Sequence, residues 1–190
     1  LMGMLNAFLH TKVGIPSFIA TLGVSTFITG VFKYGTKATP IFSLRWPAEY
    51  KIFGQGYLFN NTIPVYAVLL VIFVVIYIYI TDFTKLGRNF YAVGGNAEAA
   101  KAVGIKIDKT KFIAFILCAV FCAFAGIIRC SMINQANSLM GENMLMQGMS
   151  CVMLGATFFR VGVFNAVGTT MAAFLISTIQ NGLTMINAQT

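Results

Sequence analysis

Few side chains in this sequence could do chemistry, and those few lack the partners chemistry needs. Cys118, Cys122, Cys130 and Cys151 lie inside or beside apolar runs, with no CxxC pair, and the single histidine, His10, is remote from them in sequence. Cys118 and Cys122 are four residues apart, so a helix places both on one face. A metal or redox site there would still need further donors. Buried cysteine ordinarily packs as a small hydrophobe, and that reading is preferred: no catalytic residue and no metal ligand is assigned. The five acids, Glu49, Asp82, Glu98, Asp108 and Glu142, fall at or outside the edges of apolar runs. Proton-driven carriers relay protons through embedded carboxylates, so an internal proton relay is disfavoured.

The elements that must hold these residues are set by composition. The 190 residues are 58% hydrophobic and 9% charged, with mean hydropathy +0.82, whereas a soluble domain carries about 25% charged residues. An all-α integral membrane protein follows. Five apolar segments are legible: Ile15–Phe32, Ile63–Ile80, Phe112–Ile128, Met144–Phe159 and Val167–Ile186. A span needs about 20 residues. The fourth, loosened by Gly148 and Gly155, is short enough to re-enter rather than span. Pro64 is expected in the first turn of the second, where its missing N–H costs little. The predicted architecture is a multi-helix bundle of about five membrane segments, with residues 1–190 forming part of one transmembrane domain.

Two hydrophilic connections interrupt the bundle. Residues 33–62 carry Trp46, three tyrosines, Pro40, Pro47 and four basic residues, and suit an interfacial segment. Residues 82–111 carry six basic residues against three acids. The positive-inside rule makes 82–111 the cytoplasmic loop and 33–62 extracytoplasmic; it also puts residues 1–12 and Arg160 inside and 134–143 outside. The net charge of +8 is therefore directed at anionic headgroups and a water-soluble partner, and nucleic-acid binding is excluded on this distribution. Small residues recur every four positions at Ala114, Cys118, Cys122, Gly126 and Cys130, and again at Thr169, Ala173 and Ser177. Such ridges let helices approach closely in lipid, so static packing is the preferred reading. Polar groups without carboxylates suit a path for a neutral, hydroxylated solute; Thr21, Ser25, Asn134 and Gln135 are its candidate residues. Ser138, Asn143, Gln180, Asn181 and Asn187 extend the same polar clusters.

The stretch from Gly87 to Lys111 is the one segment built to meet something in water. Gly94, Gly95 and Asn96 are expected to form a turn, with Asn96 capping a helix that starts at Ala97. Glu98 then lies in the first turn, where the helix dipole favours negative charge. Ala99, Ala100 and Ala102 follow, and Gly104 ends the helix. A short, capped, small-faced helix of this kind can seat in a groove of another protein.

These residues carry a resemblance. Glu98-Ala99-Ala100 followed by Gly104 resembles the EAA…G coupling motif of ABC-transporter permeases, and GRNFYAVGGNAEAAKAVGI is similar to its version in importers of ribose, xylose, arabinose and galactose. Residues 15–23, IPSFIATLG, resemble that group's IPxFIxTLG signature; Gly3-Met4-Leu5-Asn6 resembles the stretch before it. Leu154-Gly155-Ala156-Thr157 and Gln180-Asn181-Gly182-Leu183 are similar to its later signatures. Residues 158–163 depart from the family's GGxG turn. The resemblance implies a multi-pass permease subunit of the bacterial inner membrane, with Leu1 falling in mid-protein. It implies a second permease copy, cytoplasmic ATPase subunits that bind ATP and Mg, and an extracytoplasmic sugar-binding protein. No GxxxxGK[ST] phosphate loop is present, so the chain itself is expected to hold no cofactor and to be no enzyme. The coupling residues would be Gly94, Gly95, Asn96, Glu98, Ala99, Ala100 and Gly104. The alternatives are a secondary carrier or facilitator for a neutral solute, a scaffolding membrane protein, and an ABC permease for branched-chain amino acids.

Overall fold

The computed structural model describes residues 1–37, 39–42, 48–58, 63–137, 141–158 and 162–186. The expectations attached to Trp46, Pro47, Ser138, Arg160, Asn187 and the turn at 159–161 lie outside the described residues. The chain folds as two compact units, Leu1–Phe73 with Tyr79–Leu139, and Val74–Ile78 with Met140–Thr190.

In the first unit, α1 (Met2–Phe8) widens into a π-helical turn at Leu9–Val13, which Gly14 ends at φ +78°. Pro16 precedes α2 (Ser17–Thr36), which Lys37 closes in the left-handed region. A loop carrying β1 (Ile41–Phe42), α3 (Ala48–Gln55) and β2 (Tyr57–Leu58) follows; β2 pairs antiparallel with β3 (Ile63–Pro64). The helix α4 (Val65–Ile78) continues as a π-helical turn, Tyr79–Phe83, into α5 (Lys85–Gly95), α6 (Ala97–Ala102) and α7 (Ile107–Ile133). β4 (Gln135–Ala136) then pairs with β1. Pro64 thus precedes the helix instead of entering its first turn, because its residue pairs with Tyr57. The second unit holds, besides the Val74–Ile78 end of α4, a hairpin of α8 (Glu142–Phe158) and α9 (Ala166–Met185).

Among the described residues three helices are long and apolar enough to cross a membrane: α2, α4 with its π-helical extension, and α7, with mean hydropathies of 1.2, 2.4 and 2.5. The apolar part of α8, Met144–Phe158, is shorter. The burial pattern is inverted relative to a soluble protein. Among the described residues the buried apolar side chains are six alanines and Val24, and the largest fully buried side chain is Ser131. Phe27, Val75 and Phe174 point outward, at 72%, 58% and 76% exposure. Helices that meet through small residues and turn bulky ones outward are packed for lipid.

Glycine contacts show how the close approaches are made. A Cβ on Gly3 of α1 would stand 2.5 Å from Ala119 Cβ and 3.0 Å from the Phe115 carbonyl of α7. His10 lies over Phe115 and bonds through Nδ1 to the Ile15 carbonyl at 2.8 Å. At the other end of α7, Gly54 of α3 lies against the backbone of Ser131 and Met132. There the Ser131 hydroxyl donates to the Tyr50 carbonyl at 2.6 Å and the Tyr50 hydroxyl to the Ile127 carbonyl at 3.2 Å. Burial there holds the Tyr50 phenol above its usual range. The 33–62 connection is therefore tied to the Ile133 end of α7, while residues 1–12 reach the Ile107 end.

In the second unit, a Cβ on Gly155 would stand 2.6 Å from both Thr169 N and Cα, and one on Gly168 would meet the Gly155 carbonyl. Gly155 does not loosen α8; it lets two backbones touch.

Candidate functional site: a capped helix at the foot of α7

The 82–111 connection is almost wholly helical. At its start, Thr84 joins two elements through one hydroxyl, which donates to the Ile80 carbonyl at 2.6 Å and accepts from the Gly87 amide at 3.4 Å. Gly87 is buried against the Thr81 backbone, where any Cβ would collide. Phe90 and Val93 follow Gly87 at helical spacing and are half-buried, while Lys85, Arg88 and Ala92 are exposed, which makes α5 amphipathic.

Gly94 and Gly95 do not form a turn. They complete the last turn of α5, because the Asn96 amide still bonds to the Ala92 carbonyl at 3.1 Å. The whole change of direction falls on Asn96, at φ −152°, ψ 105°, which ends α5 and begins α6. Its side-chain oxygen accepts the amides of Glu98 and Ala99, each at 3.0 Å, and Glu98 occupies the first turn as expected. At the other end the Gly104 amide bonds to Lys101 and the Ile105 amide to Ala100, both at 3.0 Å, with Gly104 at φ +86°. This is a Schellman closure, which requires a left-handed residue at the Gly104 position. Ala100 turns inward at 4% exposure; Glu98, Ala99, Lys101 and Ala102 are exposed, and Val103 stands out at 81%. The face α6 presents thus combines the small Ala99 and Ala102 with the charges of Glu98 and Lys101.

Asn96→Ala removes the acceptor of two amides and should cost the helix about 1 kcal/mol. Hydrogen exchange at Glu98 and Ala99 checks this: faster exchange in Asn96→Ala with protection kept in Asn96→Asp is the expected pattern. Equal protection in all three proteins would rule out the cap.

The candidate solute-path residues are not brought together. Thr21 and Ser25 lie in the first half of α2, which begins beside the Ile107 end of α7; the Thr21 hydroxyl donates to the Ser17 and Phe18 carbonyls of its own helix. Asn134 and Gln135 lie beyond the opposite end of α7, Asn134 at φ +53° and Gln135 paired with Phe42. The small-residue ridge of α7 is not packed inside the chain either. Ala114, Cys118, Cys122 and Gly126 are exposed, because α1 and α3 use Ala119, Phe115 and Ser131 instead. Thr169 and Ala173 of the α9 ridge are half-buried and Ser177 is exposed, so that ridge is only partly used. Among the described residues no group of three His, Cys, Asp or Glu side chains stands close enough to hold a metal. Two residues that sequence reasoning passed over, Thr84 and Gly87, join the capped segment to α4. Thr84 carries a local signal, a hydroxyl three residues before the amide it caps; the burial of Gly87 has none.

Helices long and apolar enough to cross a membrane, with a closed short helix at the foot of α7, define a polytopic membrane protein. A family model for the permease component of branched-chain amino acid transport systems matches residues 1–190, and the chain belongs to that family. It is 34% identical over 181 residues to the ribose import permease protein of Bacillus subtilis, covering 95% of this chain and 56% of that protein. It is 28% identical over 187 residues to the ribose import permease protein of Escherichia coli K12, covering 97% and 57%. It is 30% identical over 141 residues to the xylose transport system permease protein of Haemophilus influenzae, covering 73% and 38%. The chain spans about half the length of the curated ribose permeases it matches. No solved structure matches it.

Proposed function

We propose that this chain is part of the transmembrane subunit of an ATP-binding-cassette importer that carries a monosaccharide, and that α6 couples it to a partner ATPase. The observation that carries this reading is the state of α6: hydrogen-bonded shut at both ends, anchored by Ala100, and open on a face that sets Ala99 and Ala102 beside Glu98 and Lys101. On this reading residues 82–111 face the cytoplasm and 33–62 the opposite side. The pairing of each connection with its own end of α7 supports that assignment, as does the excess of basic residues in 82–111.

The mechanism follows from the chain's own contacts. A partner ATPase, binding ATP and Mg itself, changes shape and displaces α6. The displacement passes to α7 through Ile105 and to α5 through Asn96, and from α5 to α4 through Gly87 and the Thr84 hydroxyl. Differential contact of α6 with two ATPase states biases a two-state bundle between outward-open and inward-open forms. A second permease copy and an extracytoplasmic sugar-binding protein complete the assembly. The names of the ribose and xylose permease relatives favour a sugar; the family description keeps a branched-chain amino acid as the second reading. Uptake of labelled pentoses, hexoses and leucine by the full-length complex separates the two.

Gly104→Val forces a β-branched residue to φ +86°, and Glu98→Lys reverses the charge at the start of α6. In the assembled complex each should lower uptake roughly tenfold, the size of a coupling free energy near 1.4 kcal/mol, while membrane insertion is retained. ATP hydrolysis should persist without transport. Normal uptake in both variants would defeat the coupling role.

A further inference from the structure

At the Ile107 end of α7 two cavities adjoin. One, of about 620 Å³, is lined by Lys101, Lys106 and Lys109 together with Gly104, Ile105, Ile107 and Asp108. The other, of about 420 Å³, is lined by Thr11, Lys12, Phe112 and Ile113 and shares Asp108 and Lys109 with the first. The pair therefore forms one groove with four lysines and a single carboxylate. All four lysines are exposed, and none is held in an ion pair among the described residues. Volumes of this size suit a small ligand or the polar end of a larger one.

The groove also changes character along its length. Its lysines come from α6, from the first residues of α7 and from the turn after α1. Its far wall, Phe112 and Ile113, already belongs to a helix apolar enough to cross the bilayer. A water-soluble anion would find charge complementarity but nothing to place on that wall. A ligand with an anionic head and an apolar tail uses both parts, at the depth where heads give way to acyl chains. We infer that this groove binds an anionic phospholipid, its phosphate among Lys12, Lys101, Lys106 and Lys109 and its acyl chains along Phe112 and Ile113. A lipid seated there touches the π-helical turn after α1, α6 and α7 at once. It would fix the foot of α7 relative to the capped helix. The inference does not depend on which solute is carried.

The test uses the full-length permease in nanodiscs of phosphatidylcholine with or without phosphatidylglycerol, followed by native mass spectrometry of the lipid retained after release into detergent. Wild-type protein is expected to retain phosphatidylglycerol in preference to phosphatidylcholine. Each lysine near a membrane surface is worth about a fivefold change in affinity for anionic lipid, so Lys12→Gln with Lys109→Gln should weaken retention about twenty-five-fold. Lys33→Gln, at the other end of α2, should leave it unchanged. Thermal unfolding in phosphatidylcholine alone, unchanged in the double variant, separates lost lipid from lost fold. Inorganic phosphate added as competitor should not displace the lipid; displacement would assign the groove to a free anion and overturn the proposal. Undiminished retention in the double variant would overturn it too. So would normal retention accompanied by lost binding of the ATPase subunit, which would assign the lysines to a protein partner.

Discussion

Gly87→Val is expected to release α5 from the end of α4 and, on the proposed coupling route, to abolish uptake by the full-length complex while leaving the spanning helices in place. The Cβ of any larger residue would stand 2.6 Å from Thr81 Cα and closer still to the Thr81 carbonyl. These are backbone atoms, which cannot rotate away as a side chain can. Overpacking of a fitted site costs typically 1–3 kcal/mol, and a collision with main chain belongs at the upper end, about 3 kcal/mol. The loss should be local. Hydrogen exchange on the purified permease should show lost protection across 85–102 and unchanged protection in the middle of α7. Gly94→Val supplies the internal control, since its Cβ meets nothing within 4 Å; β-branching there costs only propensity. Native protection in Gly87→Val would show that α5 is not held where the structure places it.

Gly155→Val carries the second large effect, on the hairpin of α8 and α9. Its Cβ would press on the Thr169 backbone, and Gly168→Val would press on the Gly155 carbonyl from the other side. Each change should cost about 3 kcal/mol, read as a lowered unfolding temperature and a lower amount of protein in the membrane. Because both remove the same crossing, the double variant should lose much less than the sum, as residues in contact do. Gly148→Val, on the same helix with open space around it, should be close to neutral. Strict additivity of Gly155→Val and Gly168→Val would mean that the two glycines do not meet.

These glycines mark the line between what sequence reading reaches and what it does not. Asn96, Glu98 and Gly104 were legible because caps and Schellman closures are each written in a short local stretch, every part at a fixed offset. Gly94 and Gly95 were misread for a related reason. Two glycines before an asparagine have the composition of a turn, but the Ala92 carbonyl still finds the Asn96 amide, so the helix runs through them. Gly54, Gly87 and Gly155 look alike in the sequence, and only contacts with Ser131, Thr81 and Thr169 distinguish them from Gly148 or Gly126, which meet nothing. The first three spans were legible because apolar runs of this length have few other uses; Val167–Ile186 forms the 20-residue α9, which is not among the helices apolar enough to cross, its run being interrupted by Gln180 and Asn181. The grouping of Thr21 with Asn134 was not legible, because it required knowing that α2 begins near the Ile107 end of α7, whereas Asn134 follows the Ile133 end.

The hydrogen bonding of α6 has a thermodynamic corollary. Six residues are far too few to hold a helix in water, where nucleation alone outweighs the bonds gained. Here Asn96 takes up two amides, Gly104 and Ile105 take up two carbonyls, and Ala100 is already packed. A partner that receives this peg finds it preorganised, with its conformational entropy already surrendered during folding. On the proposed coupling role, binding energy then goes into distinguishing one ATPase state from another rather than into ordering a loop.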